Sequence, residues 1–474
     1  MNFSLALPEL VLACSGMAIL IFGVLYKRDS FVVCSMLTIG ALLLTAMLAL
    51  SSAFGVGFHG QFTNDAFSLF VKLLVLAAAA LGVMLSIDHN SHDATLRRFE
   101  FPVLMLYSTV GMMLMASASN LMTMYLGVEL MSLSIYVLAA FARDDLRSSE
   151  AGLKYFVLGA LASGLLLYGM SLVYGFSGSM AFDKLTAALS DPARASTGLI
   201  VGIVFMVAGL AFKISAVPFH MWTPDVYEGA PTPVTAFMGT APKVAAMALL
   251  LRLMATPFGH LLGQWQQIII LVSIASMLLG ALAAIGQQNI KRLMAYSSIG
   301  HMGFALVGLA AGTPDGIRGV LLYLVTYVFM NAGTFACIIA MRRRGVIVEG
   351  INDLAGLSRT DPAMALWLTV FMFSMAGIPP FAGFWGKFWV FTAAVQQNLW
   401  TLAVIGVLTS VIGAYYYIRI IKVMYFDAPA DAFDARPATL SVAAAGTGLF
   451  TTLFFLYPAP VVVAAEAAAK VLFR

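Results

Sequence analysis

Four ionisable side chains stand alone in apolar stretches of the sequence: Glu129, Lys213, Lys243 and Lys387. An ionisable group at the centre of a bilayer costs about 2.5–3.5 kcal/mol on insertion scales, so it is a functional candidate by default. Burial favours the neutral form of a lysine, whereas a carboxylate about 4 Å away favours the charged form by roughly 4 kcal/mol at an effective dielectric near 20. A change in the Glu129–lysine separation would therefore switch a lysine between holding and releasing a proton.

Proton transfer has a structural alternative at these positions. Glu129, in Tyr125-Leu-Gly-Val-Glu-Leu-Met-Ser, has no basic residue on its own predicted helix. Its partner must come from another helix, and Lys213, Lys243 and Lys154 are the available cations. A static buried ion pair that orients helices is the alternative. One carboxylate cannot satisfy all the lysines, so we expect a proton relay, in which we include Lys154.

Two histidines extend the set. His301, in Ser297-Ser-Ile-Gly-His-Met-Gly, is the titratable neighbour expected in the second half of the chain, where Glu129 has no acidic counterpart. Histidine titrates near physiological pH, which suits a relay, although a structural histidine is the alternative. His220 lies at a proline break and either caps freed carbonyl groups or passes protons.

The remaining charges in or near apolar stretches have structural interpretations. Lys72 lies seven residues from Asp65 at the outer edge and is expected to snorkel to the interface. For Asp225 and Glu228, near the predicted cytoplasmic mouth, gating and capping both stay open.

The composition indicates whether the elements that carry these residues lie in lipid or in water. Hydrophobic residues make up 61% of the 474 residues and charged residues only 10%, which is far outside soluble usage. A helical crossing takes about 20 apolar residues. The sequence predicts an all-α membrane protein, a single polytopic domain of residues 1–474, with fourteen transmembrane helices near 4–26, 31–54, 66–88, 101–118, 120–142, 151–176, 199–223, 232–254, 265–286, 293–311, 319–341, 363–396, 400–426 and 440–466.

Basic residues support this set of spans. Most of the 26 Lys and Arg fall in alternate loops, beginning with Lys27 and Arg28, whereas the opposite loops hold few, such as Arg194, and the C-terminus adds Arg474. The positive-inside rule places the rich loops in the cytoplasm and both chain ends outside. We read the first span as a retained helix, because Lys27 follows it directly instead of a small-residue cleavage site. The net charge of +4 is then a topology signal and predicts no nucleic-acid partner.

Two spans share one kind of interruption. Val217-Pro-Phe-His-Met-Trp lies in the seventh span and Ile378-Pro-Pro-Phe-Ala-Gly-Phe-Trp in the twelfth. Proline breaks helices, and broken helices at corresponding places in two halves indicate inverted repeats. We predict two inverted five-helix repeats, helices 4–8 and 9–13, with helices 7 and 12 broken; two unrelated proline kinks are the alternative. The predicted units are peripheral helices 1–3 (1–100), a first half-channel repeat (101–254), a second (265–426) and a C-terminal helix 14 (427–474).

No cofactor motif is found. Cys14, Cys34 and Cys337 lie in separate spans without CxxC spacing, which argues against an iron–sulfur site. Neither a GxGxxG nor a Walker-type loop occurs, so no nucleotide site is expected. We predict no bound metal and no cofactor in this chain.

The stretch from Ala211 to Met238, followed by Ala241-Pro-Lys and Tyr296-Ser-Ser-Ile-Gly-His-Met-Gly, resembles the antiporter-like membrane subunits of the proton-pumping NADH-quinone oxidoreductase, respiratory complex I. The resemblance covers nearly the whole chain. Of the L, M and N types it favours N, because L carries a long C-terminal lateral helix, for which no room is left, and M has a glutamate at the position of Lys387.

The resemblance implies a redox-silent proton channel. NADH oxidation and quinone reduction, with FMN and iron–sulfur clusters, would take place in other subunits. Expected partners are the neighbouring subunit M, the small subunits K, J and A, and lipids, in a bacterial inner membrane. Glu129 and Lys213 would form the pair of the first half-channel, Lys243 the central connection and Lys387 the terminal lysine of the second. A self-standing monovalent cation/proton antiporter and a structural spacer are the competing hypotheses.

Overall fold

The computed structural model describes residues 3–26, 29–93, 95–192 and 195–473. The basic residues Lys27, Arg28, Arg194 and Arg474, which entered the charge count, lie outside these ranges. In chain order the helices are α1 Leu7–Leu25, α2 Phe31–Ser51, α3 Ala66–Ser91, α4 Glu100–Ser117, α5 Leu121–Ala139, α6 Leu146–Ser177, α7 Phe182–Ala188, α8 Thr197–Lys213, α9 Thr223–Gly229, α10 Thr232–Met238, α11 Ala241–Ala255, α12 Leu262–Ile285, α13 Ile290–Ala310, α14 Pro314–Ile339, α15 Leu357–Thr360, α16 Pro362–Ala376, α17 Ala382–Gln396, α18 Trp400–Phe426, α19 Ala438–Leu453 and α20 Ala459–Val471.

Strands form only two short antiparallel hairpins in the described chain. Strand β1 (Gly55–Gly57) pairs with β2 (Phe62–Asn64), and β3 (Arg342–Arg343) pairs with β4 (Val346–Ile347). Twelve helical segments within the described ranges are long and apolar enough to cross a membrane. Two shorter apolar helices, α8 and α16, are the first halves of broken helices. The all-α membrane class is confirmed, while the number fourteen and the inverted repeats stay predictions.

Both predicted helix breaks are observed. Helix α8 ends at Lys213, and the chain leaves helical geometry until α9 begins at Thr223. Helix α16 ends at Ala376, is capped by Gly377 in the left-handed region (φ 86°), and gives way to α17. Proline explains both, because it lacks a backbone donor and clashes with the preceding turn.

Two spans predicted as continuous are interrupted. The span 232–254 divides into α10 and α11 at Thr240, whose φ and ψ are −122° and −90°. The cause is Pro242, which cannot continue a helix from α10 but is well placed in the first turn of the next one. The span 440–466 likewise divides at Pro458, where α20 begins.

The centre of the molecule is formed by the α10–α11 segment, α13 and α14, which are enclosed along almost their whole length. Helices α1, α2, α6, α18 and α19 lie at the periphery, with more than half of their residues outward-facing. Of the residues predicted to transfer protons, Lys243 and His301 lie on these central helices, whereas Lys154 lies on the peripheral α6.

Polar contacts define two faces of the bundle. On one, the basic loops are joined by Lys291–Glu349 (3.0 Å) and Arg436–Asp361 (3.2 Å). On the other, Thr256 Oγ1 donates to the Leu472 carbonyl (3.5 Å). Leu5 packs with Phe62 near that second face. The two described chain ends thus share the face opposite to the basic loops.

Candidate functional site

Lys213 is the last residue of α8, directly before the first break, and only 4% of its surface is exposed. Its Nζ donates to Ser132 Oγ (2.8 Å) and to Tyr136 OH (3.2 Å), both on α5. The end of a helix carries partial negative charge, which stabilises a nearby cation. Hydroxyl groups and a helix end, rather than a carboxylate, therefore hold this ammonium group.

Glu129 precedes Ser132 and Tyr136 by three and seven residues on α5, a spacing that places the three side chains on one helix face. Its Oε1 is buried and has no hydrogen-bond partner among the described residues. No ion pair within 4.0 Å joins Glu129 to a basic side chain in the described ranges. Glu129 lies one helical turn before Ser132, the residue whose hydroxyl group binds Lys213. The predicted partners therefore lie near one another without direct contact.

Lys243 lies in the first turn of α11, just past the unpredicted break, and is 1% exposed. Its Nζ donates to Ser298 Oγ on α13, and Ser298 Oγ in turn bonds Tyr327 OH on α14 (2.7 Å). The Lys243 Nζ also lies 5.3 Å from the centroid of the Tyr227 ring. The central lysine thus connects three helices through hydroxyl groups.

His301 lies three residues after Ser298 on α13 and uses both ring nitrogens. Nδ1 bonds Tyr323 OH (2.6 Å) and Nε2 bonds Tyr417 OH (3.1 Å). Tyr417 OH also bonds Ser297 Oγ (2.5 Å). The imidazole therefore joins α13 to α14 and α18, which suits a proton relay and equally orders the packing.

Lys387 lies on α17 beyond the second break. Its Nζ donates to the carbonyl groups of Met375 and Ala376 (3.0 Å each) and to Ser410 Oγ (2.8 Å). The two carbonyl groups end α16, so this lysine also lies at a helix C-terminus. A cavity of about 10 Å³ touches both Lys387 and His301, a volume that fits about one water molecule.

Lys154 does not join this line. Its side chain is 42% exposed and forms ion pairs with Glu150 (2.7 Å) and Asp225 (2.8 Å). The expectation that it is an available partner of Glu129 is wrong, because α6 begins at Leu146 and places Lys154 at the face with the basic loops. Asp225 also binds Arg292 (2.8 Å) there.

Glu228 binds the same arginine, with 2.9 Å between Arg292 Nη1 and Glu228 Oε2. His220 lies in the turn between α8 and α9, and its carbonyl group accepts from the Thr223 N–H (2.9 Å). The His220 Nδ1 atom is buried without a partner in the part of the chain that the structure describes. The structure thus places His220 at the break without choosing between its two expected roles.

Lys72 is buried and does not snorkel. It is 1% exposed, and its Nζ lies 2.7 Å from Glu9 Oε1 on α1. Asp65 instead forms a bidentate contact with Arg252 (2.8 and 2.9 Å). Glu9 was missed as the partner, although a lone carboxylate in the first apolar run was the available signal.

The hydroxyl partners were also missed. Ser132 and Tyr136 follow Glu129 at helical spacing, and Ser297 and Ser298 precede His301, so those on the same helix were detectable in the sequence. The remaining hydroxyl partners lie on other helices, and only the tertiary structure places them beside Ser298 and His301: Tyr323, Tyr327 and Tyr417. Within the described ranges no group of three or more His, Cys, Asp or Glu side chains could hold a metal ion.

Comparisons with known proteins identify the family of this chain. The family described as "NADH:quinone oxidoreductase/Mrp antiporter, TM" matches residues 118–413. The NADH-quinone oxidoreductase subunit N of Granulibacter bethesdensis is 66% identical over 480 residues, and that of Gluconacetobacter diazotrophicus 60% over 476 residues; both alignments cover 100% of each chain.

Solved structures show the same fold. A chain of respiratory complex I from Thermus thermophilus, solved with bound aureothin, is similar with a TM-score of 0.83 at 33% identity, covering 97% of this chain and 100% of that chain. A chain of the Mrp complex from Dietzia sp. DQ12-45-1b has a TM-score of 0.87 at 21% identity, covering 100% and 98%, and shows a shared fold alone. The identities to the curated relatives, over full length, show that the chain belongs to the subunit N family of the NADH-quinone oxidoreductases.

Proposed function

We propose that Glu129, Lys213, Lys243, His301 and Lys387 form the proton pathway of this membrane subunit. The observation that carries the proposal is a contrast between buried lysines. Lys72 and Lys291 each bind a carboxylate, at 2.7 and 3.0 Å. In the described ranges the three lysines of the line bind only hydroxyl or carbonyl oxygens. A carboxylate holds a lysine charged, whereas a buried lysine without one can exist in both protonation states.

Glu129 acts as the switch of the first half of this pathway. Its unpaired Oε1 lies on the same face of α5 as the hydroxyl groups that hold Lys213. A movement of the carboxylate toward Lys213 stabilises the ammonium form, and a movement away favours release of the proton. The Ser132 and Tyr136 hydroxyl groups can accept and donate hydrogen bonds, so they serve either state.

The second half lacks an acidic switch. Lys243 binds Ser298, which lies about one helical turn before His301 on α13, and His301 and Lys387 line the same small cavity. Under this proposal residues 101–254 form a half-channel that ends at Lys243, and residues 265–426 form a half-channel that ends at Lys387. Residues 1–100 and 427–474 frame them.

The redox chemistry belongs to other subunits of the complex. We propose that FMN, the iron–sulfur clusters and quinone are held there, and that the neighbours in the membrane are subunit M and the small subunits K, J and A. The loops rich in Lys and Arg face the cytoplasm of a bacterial inner membrane, and both chain ends face the periplasm. A self-standing antiporter is disfavoured, because the curated relatives that match over full length are oxidoreductase subunits.

Replacement of Lys213 with Ala in the assembled complex tests the proposal. We expect NADH-driven proton uptake into proteoliposomes to fall at least tenfold per assembled complex, because positioned proton-transfer groups contribute typically about 10²–10⁴-fold. Lys184→Ala is the matched control, since Lys184 is an exposed lysine on α7 away from the line. Undiminished pumping by the Lys213 variant would refute the pathway.

A further inference from the structure

The carbonyl group of Gly239 is bound by a side chain from a different helix. Gly239 caps the end of α10, and the chain leaves helical geometry at the next residue, Thr240. In a continuous helix this carbonyl group would accept from the N–H of Lys243, four residues further on. In the described chain it accepts from Asn331 on α14, with 2.9 Å between Asn331 Nδ2 and the carbonyl oxygen. A side-chain amide thus supplies a donor at the break before Lys243.

The contact between Asn331 and Gly239 is close and enclosed. Asn331 is 1% exposed, and a Cβ added at Gly239 would lie 2.7 Å from Asn331 Nδ2. Glycine therefore lets the amide approach the backbone. The Thr240 hydroxyl group donates to the carbonyl groups of Ala236 and Phe237 (3.0 and 3.1 Å). The last turn of α10 is thus partly served by its own chain, whereas the carbonyl group at its end is bound by α14.

Asn331 lies on the same face of α14 as Tyr327, because four residues separate them. The Tyr327 OH bonds Ser298 Oγ (2.7 Å), and Ser298 Oγ accepts from Lys243 Nζ. Helix α14 therefore contacts both sides of the Lys243–Ser298 hydrogen bond. Tyr327 holds the hydroxyl group, and Asn331 holds the backbone just before Lys243.

The position of Lys243 depends on the geometry of this break. Lys243 lies in the first turn of α11, so its side chain follows any rotation of the backbone there. Proton transfer needs a donor and an acceptor within about 2.6–3.2 Å of each other. A misplacement of about 1 Å can cost about 10²-fold in rate. A small movement at the break would therefore separate Lys243 from Ser298.

We propose that Asn331 is a positioning residue for proton transfer at Lys243. By binding the Gly239 carbonyl group it fixes the α10–α11 break, and the break keeps the Lys243 ammonium group in contact with Ser298. The inference rests on the proposed pathway through Lys243. Asn331 carries no proton itself, since a carboxamide does not titrate in the physiological range. The alternative is a hydrogen bond that supports the fold without affecting proton transfer.

The first test removes the donor in the whole oxidoreductase reconstituted in proteoliposomes. Asn331→Leu keeps a branched side chain without an N–H group, and we expect the number of protons translocated per NADH oxidised to fall several-fold. Thr334→Val is the matched control, because Thr334 is fully buried on the same helix and its hydroxyl group donates to the Met330 carbonyl of that helix (2.8 Å). We expect this control to keep the parental ratio.

Asn331→Gln keeps the amide donor and tests whether the hydrogen bond is what matters. We expect it to restore part of the pumping that Asn331→Leu loses. Equal ratios in the two variants, both below the parental value, would mean that the volume of the side chain matters instead of its donor, and would overturn the proposal.

A second variant disturbs the same contact from the other side and decides the question if Asn331→Leu does not assemble. Gly239→Ala brings a methyl group against the Asn331 amide, so the ratio should again fall several-fold. Gly164→Ala on α6 is its control, since no atom of another described element lies within 4 Å of that added Cβ. Gly239→Ala with the parental ratio would contradict the proposal.

The Lys243→Ala complex distinguishes positioning from a structural role. Adding Asn331→Leu to it should lower the ratio no further, because the group that Asn331 positions is already absent. A further fall would show that Asn331 acts elsewhere and would overturn the proposal.

The same complex separates this proposal from the pathway. If Lys243→Ala lowers the ratio while Asn331→Leu and Gly239→Ala leave it at the parental value, the positioning role is wrong and the pathway stands. If Lys243→Ala itself pumps like the parent, the pathway is wrong.

Discussion

At the scale of single residues, the first half of the proposed pathway centres on Glu129, a carboxylate that lies near a lysine without binding it. The Ser132 and Tyr136 hydroxyl groups hold the Lys213 ammonium group, and the Glu129 Oε1 stays unpaired in the described chain. In the proposed pathway, the Glu129 carboxylate favours the protonated form of Lys213 more strongly when the two side chains are closer together.

Glu129→Gln tests this bias, because glutamine keeps the shape of the side chain and removes its charge. Two unit charges about 8 Å apart contribute roughly 2 kcal/mol at an effective dielectric near 20, which corresponds to more than a tenfold change in an equilibrium. We expect pumping to fall about tenfold, as measured in proteoliposomes at equal assembly. Ser134→Ala, a change on the same helix away from this contact, is the control; equal pumping by Glu129→Gln and the control would exclude the bias.

The ionisable residues of the site were predictable from sequence for a physical reason. A charge in an apolar run has a large free-energy cost, so Lys213, Lys243 and Lys387 stand out whatever the tertiary structure. Their hydroxyl partners cost little in a helix and are common there, so Tyr323 and Tyr417 carried no comparable signal. The prediction for Lys154 was wrong because the depth of a residue in the bundle depends on where its helix begins, and the start of α6 was misplaced in the prediction.

At the scale of elements, helix breaks place the lysines. Lys213 is the last residue of one half-helix, the Lys387 Nζ binds the last carbonyl groups of a second, and Lys243 lies in the first turn of a third. The breaks at Pro218 and Pro380 were predicted because proline stands in mid-span. The break before Lys243 was not, since Pro242 lies close to the start of the following helix.

Gly377→Ala is expected to disturb the second break. Gly377 has a φ of +86°, and an added Cβ would lie 3.0 Å from Lys387 Cδ and 3.1 Å from its Nζ. A non-glycine residue in the left-handed region costs about 1–2 kcal/mol, and the contact adds to this. We expect a lower thermal inactivation temperature and weaker pumping.

The control for this change is Gly446→Ala on α19, where no atom of another described element lies within 4 Å of the added Cβ. That variant should behave like the parent in both measurements. If the two alanine variants gave the same inactivation temperature and the same pumping, the packing of Lys387 against Gly377 would have no role.

The β3–β4 hairpin provides a prediction on pH. The backbone N–H groups of Gly345 and Arg344 donate to the Asp434 carboxylate (2.8 and 2.9 Å) and hold the pKa of that carboxyl below its usual range. Because the pKa is lowered on folding, this stabilisation is fully present above the unfolded value near 4 and is lost as the pH falls through the lowered one.

Hydrogen exchange at the two amides, corrected for the intrinsic rate, should therefore be slow at neutral pH and accelerate only below about pH 4. Asp434→Ala should show fast exchange at neutral pH as well. Slow exchange in that variant would mean that other contacts hold the hairpin.

At the scale of the whole molecule, one buried ion pair joins α1 to α3, and a second joins the start of α3 to the rest of the bundle. Glu9 on α1 pairs with Lys72 on α3, and Asp65 at the start of α3 binds Arg252 on α11. The membrane class and the alternation of basic loops were predictable, because composition and the positive-inside rule act over the whole chain. These cross-helix pairs were not, since a pairing between distant residues leaves no periodic signal.

Glu9→Gln leaves Lys72 buried without its carboxylate, a change that typically costs about 3–5 kcal/mol. We expect less assembled complex and a lower inactivation temperature. The double variant Glu9→Gln, Lys72→Met should recover part of the loss, because no uncompensated charge remains. Glu466→Gln, which breaks an exposed pair with Lys470, should leave the stability nearly unchanged, because water screens such pairs. A Glu9 variant as stable as this control would show that the buried pair is not required.

In the proposed pathway, protons cross this subunit through Lys243, where the two halves meet. The most direct measurement is the number of protons translocated per NADH oxidised in proteoliposomes by the assembled Lys243→Ala complex, with Lys184→Ala alongside. The pathway predicts that the ratio falls in the Lys243 variant and stays at the parental value in the Lys184 variant. An unchanged ratio in the Lys243 variant would contradict it.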